Sequence, residues 1–309
     1  MEATRIAELT PRSLWDITDD AFDLYRERFV LLFGAAAVVF VPAYLLRLFL
    51  IAGPYAAYYR QVARNPTDAG SVLGASGGML GYDLLLLPLL MLAGSLFGAV
   101  AAEIVRDRLE RDEIRTIAQA YRPVLRRFGS VFFGSLLAVV ATALGYVLCF
   151  LPAVYIGIAL ILVPQTIVLE ERSIGSAFQR SQDLIRHNFA RAFGLTALLA
   201  AMTLILNLGF SGLIEGATAT FSPGVESPAI QTQKTLLEGA LGGIVNLMLA
   251  PVSGVALALL YFDIRVRREG LDMVARAKSE GITLAPDPFG DVSSEEALKL
   301  SRRLGGQRR

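Results

Sequence analysis

The chain has 309 residues, of which 54% are hydrophobic and 18% charged, and its formal net charge is +1. This composition leaves too little polar surface for a soluble domain of that size and predicts a protein embedded in a membrane. A single histidine (His187) and a single cysteine (Cys149) exclude the usual zinc sites and a disulfide framework. No P-loop is present.

Six apolar segments are long enough to cross a bilayer, whose hydrocarbon core of ~30 Å requires about 20 helical residues. They are residues 29–53, 81–105, 129–151, 153–170, 193–215 and 239–262. The sequence therefore predicts an all-α, polytopic membrane protein with six transmembrane helices. Only the region of Pro152 separates the third segment from the fourth, which is short. Whether these two are separate full-length helices is left open.

The basic residues are sorted by position along the chain. Twenty-five of the 29 Lys and Arg residues lie in the segments 1–28, 106–128, 171–192 and 264–309. Three lie in the intervening segments 54–80 and 216–238, which we expect to be outer loops, and Arg47 lies inside the first span. The positive-inside rule then predicts a multi-pass membrane protein with both termini in the cytoplasm. Arg greatly outnumbers Lys, and Ala and Leu dominate, which is typical of a GC-rich bacterial genome, so a bacterial inner membrane is expected.

Amphipathic segments precede three of the spans, and we predict interfacial helices at 13–28, 108–128 and 174–192. The chain is thus expected to contain three repeats, each an amphipathic-helix-plus-hairpin unit. Such helices either pack the bundle as elbows or place basic residues against anionic lipid headgroups. The candidate headgroup contacts are Arg28, Arg127, Arg186 and Arg191.

An acid lies at the cytoplasmic exit of each returning span and is followed by an arginine. The three acids are Glu103, Glu170 and Asp263, and the arginines after them are Arg106, Arg172 and Arg265. We expect each acid to pair with the neighbouring arginine at the membrane interface.

Few polar residues lie within the spans, where a central charge costs ~2.5–3.5 kcal/mol on insertion scales. Arg47 and Asp83 fall near the outer ends of the first two spans, so an ion pair between them is expected. Asn207 and Asn246 lie deep in the fifth and sixth spans, and buried amides usually bond across helices. These four residues are the candidate intramembrane polar sites.

The membrane domain is expected to cover residues 1–275, and residues 276–309 a cytoplasmic linker and a short C-terminal helix. Pro286, Pro288 and Gly290 indicate the linker. Ser293 followed by Glu296 is a capping pattern that predicts the start of the short helix.

Three stretches together resemble the glycerophosphoryl diester phosphodiesterase membrane-domain family of bacterial polytopic proteins. They are AFDLY at 21–25 leading to Arg28-Phe29, SIGSAFQRS at 173–181 leading to Asn188-Phe189, and YFDIRVRREGLD at 261–272. The last stretch closes the final span in that family. The resemblance implies a membrane bundle without phosphodiesterase activity, because the catalytic barrel of fused members needs paired histidines and metal-binding acids.

These observations favour a non-enzymatic scaffold or partner-binding subunit, with anionic lipid headgroups and a possible membrane protein as partners. Neither a cofactor, nor a metal, nor a nucleic-acid partner is expected. The alternative is a small transporter or lipid-handling protein, favoured by kinked spans and internal repetition. A membrane-embedded hydrolase would need acids or histidines on one face, and the sequence offers no such set.

Overall fold

The computed structural model describes residues 13–64, 69–110, 116–148, 150–221 and 227–269. Within these ranges the chain folds into ten α-helices, which confirms the all-α class. They are α1 (Leu14–Glu27), α2 (Phe29–Arg64), α3 (Ala69–Glu110), α4 (Ile117–Arg126), α5 (Phe128–Leu148), α6 (Phe150–Ala159), α7 (Val163–Leu169), α8 (Ile174–Arg186), α9 (Phe189–Phe221) and α10 (Pro228–Glu269). The predicted linker and C-terminal helix at 276–309 lie outside the described residues.

Six helical stretches of the described chain are long and apolar enough to cross a membrane, as the sequence predicts. They are Phe29–Arg64, Gly81–Leu109, Phe128–Leu148, Phe150–Leu169, Phe189–Leu213 and Pro228–Arg268.

The segments expected to be outer loops are largely helical. Helix α2 continues through Arg64, α3 begins at Ala69 and α10 begins at Pro228. With 36 residues, α2 is ~54 Å long, well beyond a hydrocarbon core of ~30 Å. The apolar stretch therefore marks the membrane-crossing part of the helix and not the point where the helix ends.

The third and fourth apolar stretches form separate helices, and the fourth is not one full-length helix, since α6 and α7 share it. A methyl group on Gly145 of α5 would lie 2.7 Å from the Cα atom of Ala153 in α6, so only glycine permits this contact. The fourth span is interrupted by a turn between Ala159 and Val163, and Pro164 lies in the first turn of α7. Proline suits that place because the first N–H groups of a helix have no partner inside it.

The described residues belong to two compact units. Unit 1 is drawn from Met1–Ala35, Ser95–Thr196 and Pro251–Arg309, and unit 2 from Ala36–Gly94 and Ala197–Ala250. Unit 1 contains the short helices and the turns that join them to the spans. Unit 2 contains the distal parts of the four longest helices.

A hydroxyl residue occupies the N-cap of each of the three short amphipathic helices in unit 1. Ser13 caps α1 and exchanges hydrogen bonds with Asp16 at 3.1 and 2.8 Å. Thr116 makes the same capping box with Gln119 for α4, and Ser173 occupies the N-cap of α8. The second helix therefore begins at Ile117 and not at 108, because residues 108–110 continue α3.

Each of these helices contains one alanine that is completely buried within unit 1. Each helix then ends in a short break, after which a new helix begins. The buried alanines are Ala21, Ala120 and Ala177. The breaks fall at Arg28, at Arg127 and at His187–Asn188, so the third helix ends at Arg186 and not at 192. Each following helix opens with a phenylalanine stacked on the one four residues later, as in Phe29–Phe33, Phe128–Phe132 and Phe189–Phe193.

Candidate functional site

Glu170, which follows the last residue of α7, is a buried acid that accepts several hydrogen bonds. Its side chain is 3% exposed. The Tyr261 hydroxyl donates to Oε1 at 2.8 Å, and the Arg172 Nε donates to Oε2 at 2.6 Å. The Arg180 Nε lies 3.0 Å from both oxygens. The carboxylate thus accepts hydrogen bonds from three side chains on three parts of the chain.

A fully buried arginine completes this cluster. Arg265 is 1% exposed, and its Nε lies 3.8 Å from Oε1 of Glu170. Its Nη1 donates to the Tyr261 hydroxyl at 3.2 Å, and its guanidinium carbon lies 5.6 Å from the tyrosine ring centroid. The Tyr261 hydroxyl therefore accepts from a cation and donates to an anion, which orients both groups. We call Glu170, Arg172, Arg180, Tyr261 and Arg265 the Glu170 cluster.

Burial by itself would raise the pKa of Glu170. The positive charges of Arg265 and Arg180 and the hydrogen bonds from Arg172 and Tyr261 outweigh burial and hold that pKa below its ordinary value. Glu170 is therefore ionised at neutral pH. In that state it accepts hydrogen bonds and donates none, which suits a structural anion better than a proton donor.

The lowered pKa predicts how stability depends on pH. The carboxyl titrates near 4.5 in the unfolded chain and lower in the folded protein, so its contribution is complete above 4.5. That contribution is lost as the pH falls from 4.5 through the folded pKa. Unfolding of the wild type and of Glu170→Gln, measured from neutral pH downwards, should give free energies that converge in acid. Parallel curves would contradict the assignment.

The exit acid Asp263 binds two arginines that the sequence did not indicate as its partners. Its Oδ2 lies 3.1 Å from Arg191 Nη2 and accepts from Arg267 Nε at 2.9 Å. Helical geometry favours Arg267 over Arg265, the neighbour expected from the sequence, since residues two apart lie on opposite sides of a helix and residues four apart lie on the same side. Tyr261 and Arg265 thus share the side facing Glu170, and Asp263 and Arg267 share another.

The third exit acid, Glu103, lies 3.8 Å from Arg106, as expected, and its side chain is buried. The expected pairing of Glu170 with Arg172 is also present. Two of the three predicted neighbour pairs are therefore found.

Ion pairs also join the end of a short helix, or the start of the helix that follows it, to the end of a returning span. Glu27 binds Arg108 at 3.1 Å, Arg127 binds Glu171 at 2.5 Å, and Arg191 binds Asp263 at 3.1 Å. Arg127 also donates to the carbonyl oxygen of Glu171 at 2.7 Å. We call these three contacts the end ties.

The end ties bear on the arginines proposed as headgroup contacts. Arg127 and Arg191 each bind a protein acid, and Arg28 is buried in unit 1. Arg186 is exposed at the end of α8. Headgroup binding at these four residues remains a prediction, with Arg186 the most accessible of them.

Unit 2 contains the other predicted residues, and the expected ion pair is present there. Arg47 Nη2 donates to Asp83 Oδ1 at 2.8 Å. The Tyr55 hydroxyl, which the sequence did not single out for this site, donates to Asp83 Oδ2 at 2.8 Å. Asp83 thus has one partner for each carboxylate oxygen, and these contacts join α2 to α3.

Asn207 of α9 and Asn246 of α10 face each other across the two helices, as expected. Each amide nitrogen donates to the other's oxygen at 3.4–3.5 Å. Their shorter bonds go to carbonyls on their own helices, from Asn207 to Thr203 at 2.8 Å and from Asn246 to Gly242 at 2.7 Å. The two hydrogen bonds between the helices are therefore long, which indicates that they stabilise the packing of α9 on α10 only modestly.

A double-mutant cycle of Asn207→Leu and Asn246→Leu measures that contribution. We expect a coupling free energy of about 0.6 kcal/mol, the average for hydrogen bonds between membrane helices. Thr203→Val combined with Asn246→Leu is the control, because the Thr203 hydroxyl bonds only Leu199 of its own helix. That combination should show no coupling, and equal coupling in both cycles would refute the direct contact.

No group of three or more His, Cys, Asp and Glu side chains in the described part of the chain could hold a metal ion. The functional residues that sequence reasoning missed are Arg180 and Tyr261 as partners of Glu170. The spacing of Tyr261 and Arg265 could have indicated a shared helix face. Nothing in the sequence places Arg180 beside Glu170.

The family described as "Domain of unknown function (DUF7847)" matches residues 71–262. No curated protein and no solved structure matches the chain. The resemblance to the glycerophosphoryl diester phosphodiesterase membrane-domain family therefore stays a prediction.

Proposed function

The chain belongs to the family described as domain of unknown function DUF7847, and we propose that it is a non-enzymatic scaffold that holds a protein partner in the membrane. The observation that carries this proposal is the Glu170 cluster. Its ionised carboxylate is engaged by several side chains of unit 1 and fixes helix ends, a role in architecture and not in chemistry.

Support for a partner in the membrane comes from α9. Only 11% of its most apolar stretch is buried, against 61% for the fourth span and 67% for the sixth. Its exposed apolar side chains include Leu204, Ile205, Leu208, Phe210 and Leu213. A span with so few contacts to its own chain has most of its surface available to a second membrane protein.

The proposal includes three amphipathic-helix-plus-hairpin repeats in a bacterial inner membrane, with both termini in the cytoplasm. The recurring N-caps, buried alanines, stacked phenylalanines and end ties support the repeat. The distribution of basic residues supports the orientation.

Site-specific photocrosslinking in native membranes tests the partner. A photoreactive residue at Leu208 of α9 should give one protein adduct of fixed mass. The same residue at Leu137 of α5, which is also an exposed apolar position in a span, should give lipid adducts only. Absence of a protein adduct at Leu208, or the same adduct at both positions, would contradict the scaffold.

Single cysteines test the orientation in a Cys149→Ser background. A membrane-impermeant maleimide added outside should label Arg60→Cys in α2 and leave Gln179→Cys in α8 unlabelled until the membrane is opened. Both native residues are exposed. The reverse pattern would place the termini outside.

The alternative function is a small transporter or lipid-handling protein, which the facing amides of Asn207 and Asn246 favour. Polar groups deep in spans mark substrate paths in many transporters. Under this alternative, replacing both residues with leucine should abolish lipid or solute movement in reconstituted vesicles. Crosslinking at Leu208 should then give no protein adduct. The scaffold instead predicts that the partner adduct survives this replacement.

A further inference from the structure

The outer face of α4 combines basic and apolar side chains that are open to the surroundings. Arg122 and Arg126 are exposed there, and Leu125 between them is 61% exposed. Ala120 and Val124 on the opposite side are buried against unit 1. The helix is thus fixed by one face and presents the other.

Neither of these two arginines makes a hydrogen bond or an ion pair with any residue that the structure describes. Arg127, one residue further on, does so, with Glu171. The described residues of α4 include no acid, so nothing on the helix itself neutralises Arg122 and Arg126. Two exposed guanidinium groups are left to bind an anion from outside the protein.

The position of α4 determines which anion is within reach. The helix ends at Arg126, and the third span begins at Phe128 after a break of one residue. Because the candidate span begins at Phe128, we expect Leu125 and the exposed Phe128 at the boundary between headgroups and acyl chains. Helices with a basic polar face and an apolar residue at that depth bind anionic membranes.

The other two short helices differ in charge. The exposed face of α1 carries Asp16, Asp19, Asp23 and Glu27 against Arg26, together with Trp15, which is 67% exposed. The exposed face of α8 is mixed, with Gln182, Asp183 and Arg186. An anionic surface would repel α1 and would attract α8 only weakly.

We propose that the outer face of α4 binds anionic phospholipid, with Arg122 and Arg126 on the headgroup phosphate and Leu125 among the acyl chains. The contact is specific to α4 and is not shared by α1. It goes beyond the scaffold function and stands whether or not a protein partner exists.

Tryptophan quenching by brominated lipid tests this proposal with the full-length chain. The chain has one tryptophan, Trp15, so the wild type reports on α1, and Trp15→Phe with Leu125→Trp reports on α4. Both proteins are placed in phosphatidylcholine vesicles with a minor fraction of phosphatidylglycerol, with bromine on one lipid or the other.

We expect the α4 reporter to associate with phosphatidylglycerol about 30-fold more strongly than with phosphatidylcholine, which corresponds to about 2 kcal/mol from two basic side chains. This preference should fall as salt is added. Arg122→Gln with Arg126→Gln should bring the ratio close to one, and Arg60→Gln, at an exposed position of α2, should leave it unchanged. The wild-type Trp15 should show no preference.

Two results would overturn the proposal. One is an α4 reporter that does not distinguish the two lipids. The other is an equal preference at Trp15, which would make the selectivity a property of the whole protein surface.

Discussion

Glu170→Gln is expected to lower the free energy of unfolding by about 3–5 kcal/mol, the cost of breaking a buried ion pair by removing one charge. The loss is large because Arg265 is 1% exposed and would keep its charge without its nearby carboxylate. Arg172 and Arg180 would lose a charged acceptor as well. Unfolding of the purified protein in detergent, followed by circular dichroism, measures the change.

The adjacent residue supplies the control. Glu171 also makes an ion pair, with Arg127, but its side chain is 74% exposed against 3% for Glu170. Glu171→Gln should therefore cost at most about 1 kcal/mol, as exposed ion pairs do. If the two variants lost equal stability, burial would not be the source of the effect.

Gly145→Leu is expected to destabilise the protein by about 3 kcal/mol or more, at the upper end of what overpacking costs. Even a methyl group at this position would lie 2.7 Å from Cα and 3.0 Å from the backbone nitrogen of Ala153. Backbone atoms do not rotate away as a side chain does, so α5 and α6 would have to separate. The same unfolding measurement reports the loss.

A second glycine of the same helix provides the comparison. A methyl group on Gly129 meets nothing within 4 Å, so Gly129→Leu should change the free energy of unfolding by less than about 1 kcal/mol. A Gly145 variant as stable as the Gly129 variant would show that the α5–α6 hairpin does not need close backbone contact.

Local signals in the sequence predicted much of this architecture. The apolar lengths predicted six spans, and the amphipathic segment 13–28 predicted α1. The Arg47–Asp83 pair was predictable because two charges near the same end of a helical hairpin have few other partners. Each of these features depends on neighbouring residues or on neighbouring spans.

Features that depend on tertiary packing were not predictable. Arg180 approaches Glu170 only because α8 packs against the turn after α7, ten residues from that acid in sequence. Arg28 is buried at the break after α1, and no local signal in the sequence indicates that burial. The extension of α2 through Arg64 was also missed. Hydropathy indicates whether a segment suits an apolar environment, and it does not indicate where the helix ends.

The end ties differ in how much of the chain must be made before they form, and this sets an order of assembly. Arg127 and Glu171 are 44 residues apart, so the contact becomes possible soon after the fourth span leaves the ribosome. The end tie from Arg191 to Asp263 requires the far end of α10. Synthesis from the N-terminus thus allows the α5–α7 hairpin to close early, whereas the tie between α9 and α10 has to wait for the last helix.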